Sequence, residues 1–186
     1  RAFCAGADLK AMNESGRPAG SGSVVASTPT TFKQVPTWKP TIAAINGWAL
    51  AGGWSQAMSC DVRLAAESAR MGITESKWNL PGGFGARLEY VSSIAVACEI
   101  LMWSDFHTSQ RMYEVGFVNK VVPDDQLMDE AMRWADHICT RGPGSVRAHK
   151  QMIYLGRNMG PHDLAELGSA IFKPVGAMAD SKEGPK

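Results

Sequence analysis

Residues 40–60 limit the fold of this chain more than any other stretch. Positions 40–45 form a short apolar, β-branched run of the kind found in buried strands. A turn signal follows, then Gly52 and Gly53 form a second glycine break, and residues 54–60 have helix-forming character. A strand that passes through glycines into a helix is typical of α/β proteins, so we expect that class.

The rest of the sequence continues the alternation of strands and helices. Residues 13–31 interrupt it, because they are rich in Ser, Gly, Pro and Thr and predict a surface loop, either a lid over a site or a disordered spacer. Strands are predicted at residues 2–7, 62–66, 70–73 and 116–122, and helical segments at residues 8–12, 86 to about 102 and 126–139.

Composition points to one globular domain and argues against several functions. The chain has 186 residues, 45% hydrophobic and 20% charged, with a formal net charge of +1. Its scattered Lys and Arg disfavour nucleic acid as a partner. Its widely spaced cysteines favour neither a disulfide framework nor a zinc site. No apolar stretch approaches the roughly 20 residues that span a bilayer.

Gly52 and Gly53 are the first candidates for chemistry. At the start of a helix their amide protons lack intrahelical acceptors and point along the helix dipole towards a bound anion. Such amides could form an oxyanion hole, with the amide of Ala7, at the end of another predicted strand, as a second donor. Equally, the two glycines could serve only to let the helix pack closely.

Glu75 is the candidate acid or base. It lies between the apolar runs at residues 71–73 and 78–81, and a carboxyl group in such surroundings has a raised pKa and can carry a proton at neutral pH. The alternative is an exposed glutamate in a loop, the commoner environment for this residue type.

Ser55 stands in a sequence close to the G-x-S-x-G nucleophile elbow of serine hydrolases. The elbow requires its serine at the tip of a strand, whereas the predicted strand ends near Asn46. No histidine in the sequence has the context of a triad partner. We therefore disfavour a hydrolase.

Several ordered motifs together resemble the crotonase (enoyl-CoA hydratase/isomerase) superfamily. Residues 2–10, AFCAGADLK, and 39–53, KPTIAAINGWALAGG, are similar to its two signature stretches. Glu75, the PGG of residues 81–83 and the GFVNKVVP of residues 116–123 continue the match in order. The resemblance covers the chain from its start to at least the last of these motifs.

The resemblance implies a crotonase-like spiral of ββα units with a C-terminal helical region. It implies one domain over residues 1–186, with a spiral core at 1–123 and a helical region at 124–186. The family's N-terminal units and terminal tail are absent, so we expect a fragment. No metal or redox cofactor is implied, coenzyme A being part of the acyl-CoA substrate. We expect a homotrimer or homohexamer without a membrane span, in the cytoplasm.

Family positions also imply roles for individual residues. The oxyanion-hole amides match Ala7 and Gly52, and the proton-transferring carboxylate matches Glu75. The residues expected to contact the acyl-CoA are Ala5, Gly6, Asp8, Leu9, Lys10, Gly53, Pro81 and Gly82.

One departure from the family pattern bears on the reaction. Hydratases of the family use two glutamates. Ser55 occupies the position of the first glutamate in this chain, whereas the second is kept as Glu75. A serine hydroxyl is a poor acid or base at neutral pH, so a single carboxylate favours isomerisation or another enolate reaction. Trp54, where the family tends to have a smaller residue, suggests a reshaped acyl pocket. The alternatives are a hydratase with a different second acid or base, and an acyl-CoA-binding paralogue without catalysis.

Overall fold

The computed structural model describes residues 1–6, 8–14, 37–79, 88 and 91–178. The chain divides into two compact units, one of residues 1–36 and 41–132 and one of residues 37–40 and 133–186. The expected single domain with a boundary after residue 123 stays a prediction. Most of the loop expected at residues 13–31 lies outside the described residues.

Two sheets carry the described strands of the first unit. In the larger sheet β1, β3 and β5 run parallel in that order, and β6 pairs antiparallel with β5; in the smaller sheet β2, β4 and β7 run parallel. The strands are β1 (Ala2–Cys4), β2 (Ile42–Ile45), β3 (Trp48–Leu50), β4 (Val62–Ala66), β5 (Arg70–Gly72), β6 (His107–Thr108) and β7 (Lys120–Val122).

The described helices connect these strands and make up most of the second unit. They are α1 (Leu9–Glu14), α2 (Gly52–Ser59), α3 (Ile94–Cys98), α4 (Ser109–Glu114), α5 (Leu127–Cys139), α6 (Pro143–Gly156) and α7 (Pro161–Gly176). Two 3-10 turns (Glu75–Trp78 and Asp124–Gln126) and a π-helical turn (Glu99–Trp103) complete the set.

The core of the first unit lies on the inner faces of the two sheets. The completely buried side chains include Ile45 of β2, Leu64 of β4 and Met71 of β5, together with Phe117 after α4. β4 is buried at four consecutive positions, and parallel strands buried on both faces favour such runs of β-branched and small apolar residues. Among the described residues, no helix is long and apolar enough to cross a membrane.

The predicted α/β class is confirmed, and some predicted elements need correction. The strand expected over residues 116–122 is reduced to β7, because Gly116 has φ +81° and ends α4. The amides of Phe117 and Val118 both donate to the carbonyl of Met112, at 2.9 Å each, which closes the helix end. The helix expected from residue 86 is described as helical only from Ile94, and it continues as the π-helical turn.

Candidate active site

Three neighbouring parallel strands end side by side at one edge of the larger sheet. β1 leads to Gly6, β3 leads to Gly52 and β5 leads to Glu75. The strand ends are joined directly, since the amide of Ala51 donates to the carbonyl of Gly72 at 3.2 Å. The carboxyl edge of parallel strands is where α/β proteins place their ligands. The three sequence candidates Gly6, Gly52 and Glu75 therefore lie on adjacent strand ends.

Gly6 brings the end of β1 against the start of α2. Its φ of +90° is a conformation that side chains rarely adopt. A methyl group added at Gly6 would lie 3.1 Å from Cβ of Ala51 and 3.4 Å from the amide nitrogen of Gly52. The segment that continues into Ala7 thus starts next to the Gly52 amide; Ala7 itself lies outside the described residues.

The start of α2 is strained at a residue that is not glycine. Ala51, directly before the helix, has φ 51° and ψ −113°. Conformations of this kind cost about 1–3 kcal/mol and persist where the surrounding structure enforces them, often at functional sites. Gly52 opens the helix, and its N–H is one of the first-turn donors that have no intrahelical acceptor.

Close packing explains the second glycine of the pair. A methyl group added at Gly53 would lie 1.8 Å from the carbonyl oxygen of Cys4 in β1, whereas one at Gly52 would meet its nearest atom, Cα of Gly6, at 3.5 Å. The packing reading therefore applies to Gly53, whereas a side-chain methyl group at Gly52 would make only an ordinary van der Waals contact. An oxyanion-hole role of Gly52 stays a prediction. A role of Gly53 in substrate binding stays a prediction.

Ser55 lies one turn inside α2, on the helix face that also carries Gly52. Its side chain is buried and its amide donates to the carbonyl of Ala51 at 3.1 Å. The reason given above against a nucleophile elbow was wrong, because β3 and not the strand ending near Asn46 leads into the helix. The elbow is nevertheless not formed, since the serine lies within the helix and not at the tip of the strand.

Trp54 packs in the core of the first unit. Its indole is completely buried and stacks on the ring of Phe117, with 4.2 Å between ring centres and 17° between planes. The reshaped acyl pocket suggested by the sequence stays a prediction.

Glu75 begins the 3-10 turn that follows β5, and it is only partly exposed. Burial raises the pKa of its carboxyl group, although the backbone amides of Glu75 and Thr74 pull that pKa down. Its Oε2 atom is buried without a hydrogen-bond partner among the described residues. The raised pKa expected from the sequence is confirmed, and a role of this carboxyl group as acid or base stays a prediction.

The residues expected along the substrate near α1 include a helix cap. Asp8 accepts hydrogen bonds from the amides of Lys10 (2.9 Å) and Ala11 (3.1 Å), so its carboxylate caps α1. The ammonium group of Lys10 lies 4.0 Å from the carboxylate of Glu14, and both side chains are well exposed. Ala5 is exposed at the end of β1. Contacts of these residues with acyl-CoA stay predictions, as does that of Leu9.

Two predicted site residues cannot be located in the described part of the chain, and a cleft lies elsewhere in it. Pro81 and Gly82 lie outside the described residues. In the described ranges no group of three or more His, Cys, Asp and Glu side chains could hold a metal ion. A cleft of about 220 Å³ lies at the opposite, amino-terminal edge of the larger sheet, lined by Arg1, Asn46, Gly47, Trp48, Ser68 and Asp124.

Comparison with known proteins matches this architecture over the whole chain. The sequence profile of the enoyl-CoA hydratase/isomerase family matches residues 1–186. The chain belongs to the enoyl-CoA hydratase/isomerase family. It is therefore an enzyme of the lyase or isomerase type that the crotonase fold supports.

Individual relatives of this family show the same extent of similarity. Enoyl-CoA hydratase EchA19 of Mycobacterium tuberculosis is 36% identical over 191 residues, which cover 99% of this chain and 71% of the relative. Mitochondrial methylglutaconyl-CoA hydratase of Mus musculus is 36% identical over 190 residues, covering 98% of this chain and 60% of the relative. An enoyl-CoA hydratase structure from Bacillus anthracis has a TM-score of 0.88 at 34% identity, covering 99% and 72% of the two chains.

Sequence reasoning missed the residues that hold Glu75 in place in this enoyl-CoA hydratase/isomerase family member. The hydroxyl of Ser76 donates to the carbonyl of Leu101 at 2.7 Å, and the ammonium group of Lys77 lies 3.4 Å from the carboxylate of Asp105. The Lys77 ammonium also lies 5.1 Å from the ring centre of Phe106. These partners are about 25 residues further along the chain, so no local pattern could have identified them.

Proposed function

We propose that this protein binds an acyl-CoA thioester, stabilises its enolate and moves a proton with the carboxylate of Glu75. The amides of Ala7 and Gly52 bind the thioester oxygen, and the negative charge of the enolate develops between them. The observation that carries the proposal is the meeting of the ends of β1, β3 and β5, which brings Gly6, Gly52 and Glu75 to one edge of the sheet.

The electrostatics of the site support this assignment. Gly52 is the first residue of α2, where the helix dipole and the unpaired first-turn amides favour a negative charge. The Glu75 carboxyl group has a pKa raised by burial, which brings its affinity for protons closer to that needed at neutral pH. An oxyanion donor and a half-buried base on adjacent strand ends are the two groups that enolate chemistry requires.

The reaction we favour is isomerisation of the double bond of an enoyl-CoA. Glu75 takes a proton from one carbon of the substrate and returns it to another carbon of the delocalised dienolate, so one carboxylate suffices. Ser55, buried on the Gly52 face of α2, has no acid–base capacity at neutral pH and does not replace a second glutamate.

Hydration is the second candidate, and a specific observation favours it. The relatives named above are hydratases, as is the short-chain-enoyl-CoA hydratase of Clostridium acetobutylicum, which is 34% identical over 185 residues. A hydratase with Ser55 needs a second acid or base from elsewhere, or a water positioned by the serine hydroxyl.

Product analysis with matched 2-enoyl-CoA and 3-enoyl-CoA substrates distinguishes the two reactions. We expect the double bond to move without a gain in mass, and we expect Glu75→Gln to reduce the rate about 10²–10⁴-fold. Rapid addition of water by the wild-type protein would establish the hydratase instead. Mass-resolved chromatography separates the isomers and detects the added water.

Substitution at Ser55 tests whether the lack of a second carboxylate is what disfavours hydration. Ser55→Glu places a carboxylate one helical turn from Gly52, and we expect it to create or increase hydration. Ser55→Gln is the matched control, because it has nearly the same size and no acid–base capacity. Equal hydration by the two variants would contradict the argument.

We also propose that this protein assembles as a homotrimer or a pair of trimers. Large apolar side chains are exposed on several helices, among them Ile94, Met128 and Ile153, and uncovered apolar surface of this kind favours association. Light scattering coupled to gel filtration measures the mass directly. A monodisperse monomer at micromolar concentration would contradict the proposal.

A further inference from the structure

Glu75 and Trp78 are the first and last residues of the same 3-10 turn. A 3-10 helix has three residues per turn, so the side chains at positions i and i+3 eclipse each other. In such a turn the Cα atom of Trp78 therefore lies on the same face as that of Glu75. It is about 6 Å further along the axis, because each residue advances the turn by about 2 Å.

The two middle residues of the turn face the other way and fix its orientation. Ser76 donates to the carbonyl of Leu101 at 2.7 Å, and Lys77 lies 3.4 Å from Asp105. Both partners belong to the segment of the π-helical turn and the residues that follow it. The Ser76 and Lys77 side of the turn is thus attached to that segment.

The two side chains differ in burial, from Glu75 at the start of the turn to Trp78 at its end. The Oε2 atom of Glu75 is buried, whereas Trp78 is 71% exposed. The base therefore lies deep at the end of β5 and the indole lies one turn nearer to solvent. A planar apolar group that packs against so exposed a tryptophan ring buries the surface of both. If the group is aromatic, the pair is stabilised beyond the effect of the buried area.

We propose that Trp78 is a specificity-determining residue that packs against the part of the acyl group beyond its β-carbon. The inference rests on the proposed function, in which Glu75 acts at the carbons next to the thioester. A four-carbon acyl chain ends close to Glu75, whereas a ring attached at the β-carbon reaches one turn further. The site accordingly favours acyl-CoA thioesters with an aromatic or similarly planar group at the β-carbon over short straight chains.

The test measures the binding of saturated thioesters, which the proposed reactions do not consume. Calorimetry gives the Kd of the wild-type protein for 3-phenylpropanoyl-CoA and for butanoyl-CoA. We expect the phenyl compound to bind about tenfold tighter, the size that an aromatic contact gives beyond area burial. Trp78→Leu should remove most of that ratio and Trp78→Phe should keep most of it.

Trp103→Leu is the matched control. Trp103 is 69% exposed, nearly the same as Trp78, but belongs to the π-helical turn and not to the turn of Glu75. A Kd ratio that is unchanged by Trp78→Leu, or equally reduced by Trp103→Leu, would overturn the inference.

The same measurement separates failure of this inference from failure of the proposed function. If neither thioester binds to the wild-type protein, acyl-CoA is not its ligand, and the proposed function fails together with the inference. If both bind with equal Kd values, the proposed function stands and the role of Trp78 is wrong. An incorrect assignment of Glu75 as the base leaves the binding comparison intact, because no proton transfer is measured.

Discussion

Gly52 and Gly53 are neighbours in the sequence but meet different surroundings. Next to Gly53 the carbonyl of Cys4 leaves no room for a side chain, whereas a methyl group at Gly52 would make only an ordinary contact with Cα of Gly6. The sequence identified the pair and could not separate the two members, because the atom that distinguishes them belongs to a strand about 50 residues away.

Alanine substitutions separate the two glycines. Gly53→Ala should lower the free energy of unfolding by about 3 kcal/mol or more, because its methyl group would overlap the Cys4 carbonyl in a packed core. Gly52→Ala should leave stability within about 1 kcal/mol of the wild type, since the helix tolerates alanine and no atom crowds it. Urea unfolding measures both; equal losses would contradict the packing argument.

At the residue scale, the sequence predicts the raised pKa of Glu75 but not the residues that hold its turn in place. The apolar runs on both sides of it in the sequence indicated a carboxyl group with a raised pKa, and burial produces that shift. Trp78 was noticed only as an apolar residue, although the spacing of three from Glu75 would have placed it on the same face had a 3-10 turn been expected.

The element that carries Gly52 is held at its other end by a buried arginine. Arg63 of β4 donates from Nη1 to the carbonyl of Cys60 at 2.8 Å, just beyond the end of α2, and from Nε to the carbonyl of Phe117. Its guanidinium also lies 5.0 Å from the ring centre of Phe117, which stacks on Trp54 of the same helix. A cation at the C-terminal end of a helix is favoured by the helix dipole.

Replacement of Arg63 tests this anchor. Arg63→Met should lower the free energy of unfolding by about 1.5–3 kcal/mol, the net contribution of hydrogen bonds to charged groups. Arg63→Lys is the matched control, because it keeps the charge but cannot reproduce the planar fork of donors, and it should lie between the wild type and Arg63→Met. If the methionine variant is as stable as the wild type in urea unfolding, the anchor is not needed.

Short elements were harder to predict from the sequence than long ones. The strand over residues 62–66 and the helix ending at Cys139 were predicted closely, because each has an uninterrupted pattern of its own. β3 has only three residues, which the sequence assigns to no element; its pairing with β1 and β5 on both sides makes it a strand. Tertiary pairing of this kind leaves no local pattern.

For the whole molecule, Glu75 links stability to pH in a predictable direction. Its pKa is raised in the folded protein, so the linked stabilisation is fully present below the ordinary pKa of 4.5 and is lost as the pH rises through the folded value. At pH 7 the protein therefore keeps a half-buried charge at a cost in stability. Charged or strained groups of this kind at active sites are a recurrent stability cost of function.

Glu75→Gln should consequently raise the melting temperature at pH 7 while it reduces turnover. The gain should shrink as the pH falls and vanish below about pH 4, where the carboxyl group is protonated in both the folded and the unfolded chain. Thermal unfolding of both proteins between pH 4 and 8 measures the difference between their melting temperatures. The effects of the other titrating groups are the same in both proteins and cancel in this difference. A gain that does not depend on pH would mean that the charge is not its cause.

Proton removal by Glu75 and formation of an acyl-CoA enolate are the steps on which the proposed function depends most. Deuterium incorporation at the α-carbon of butanoyl-CoA in D₂O, followed by mass spectrometry, reports that step without requiring isomerisation or hydration. We expect exchange with the wild-type protein and a rate about 10²–10⁴-fold lower with Glu75→Gln. Exchange at the same rate in both proteins, or no exchange by a wild-type protein that binds butanoyl-CoA, would contradict this expectation.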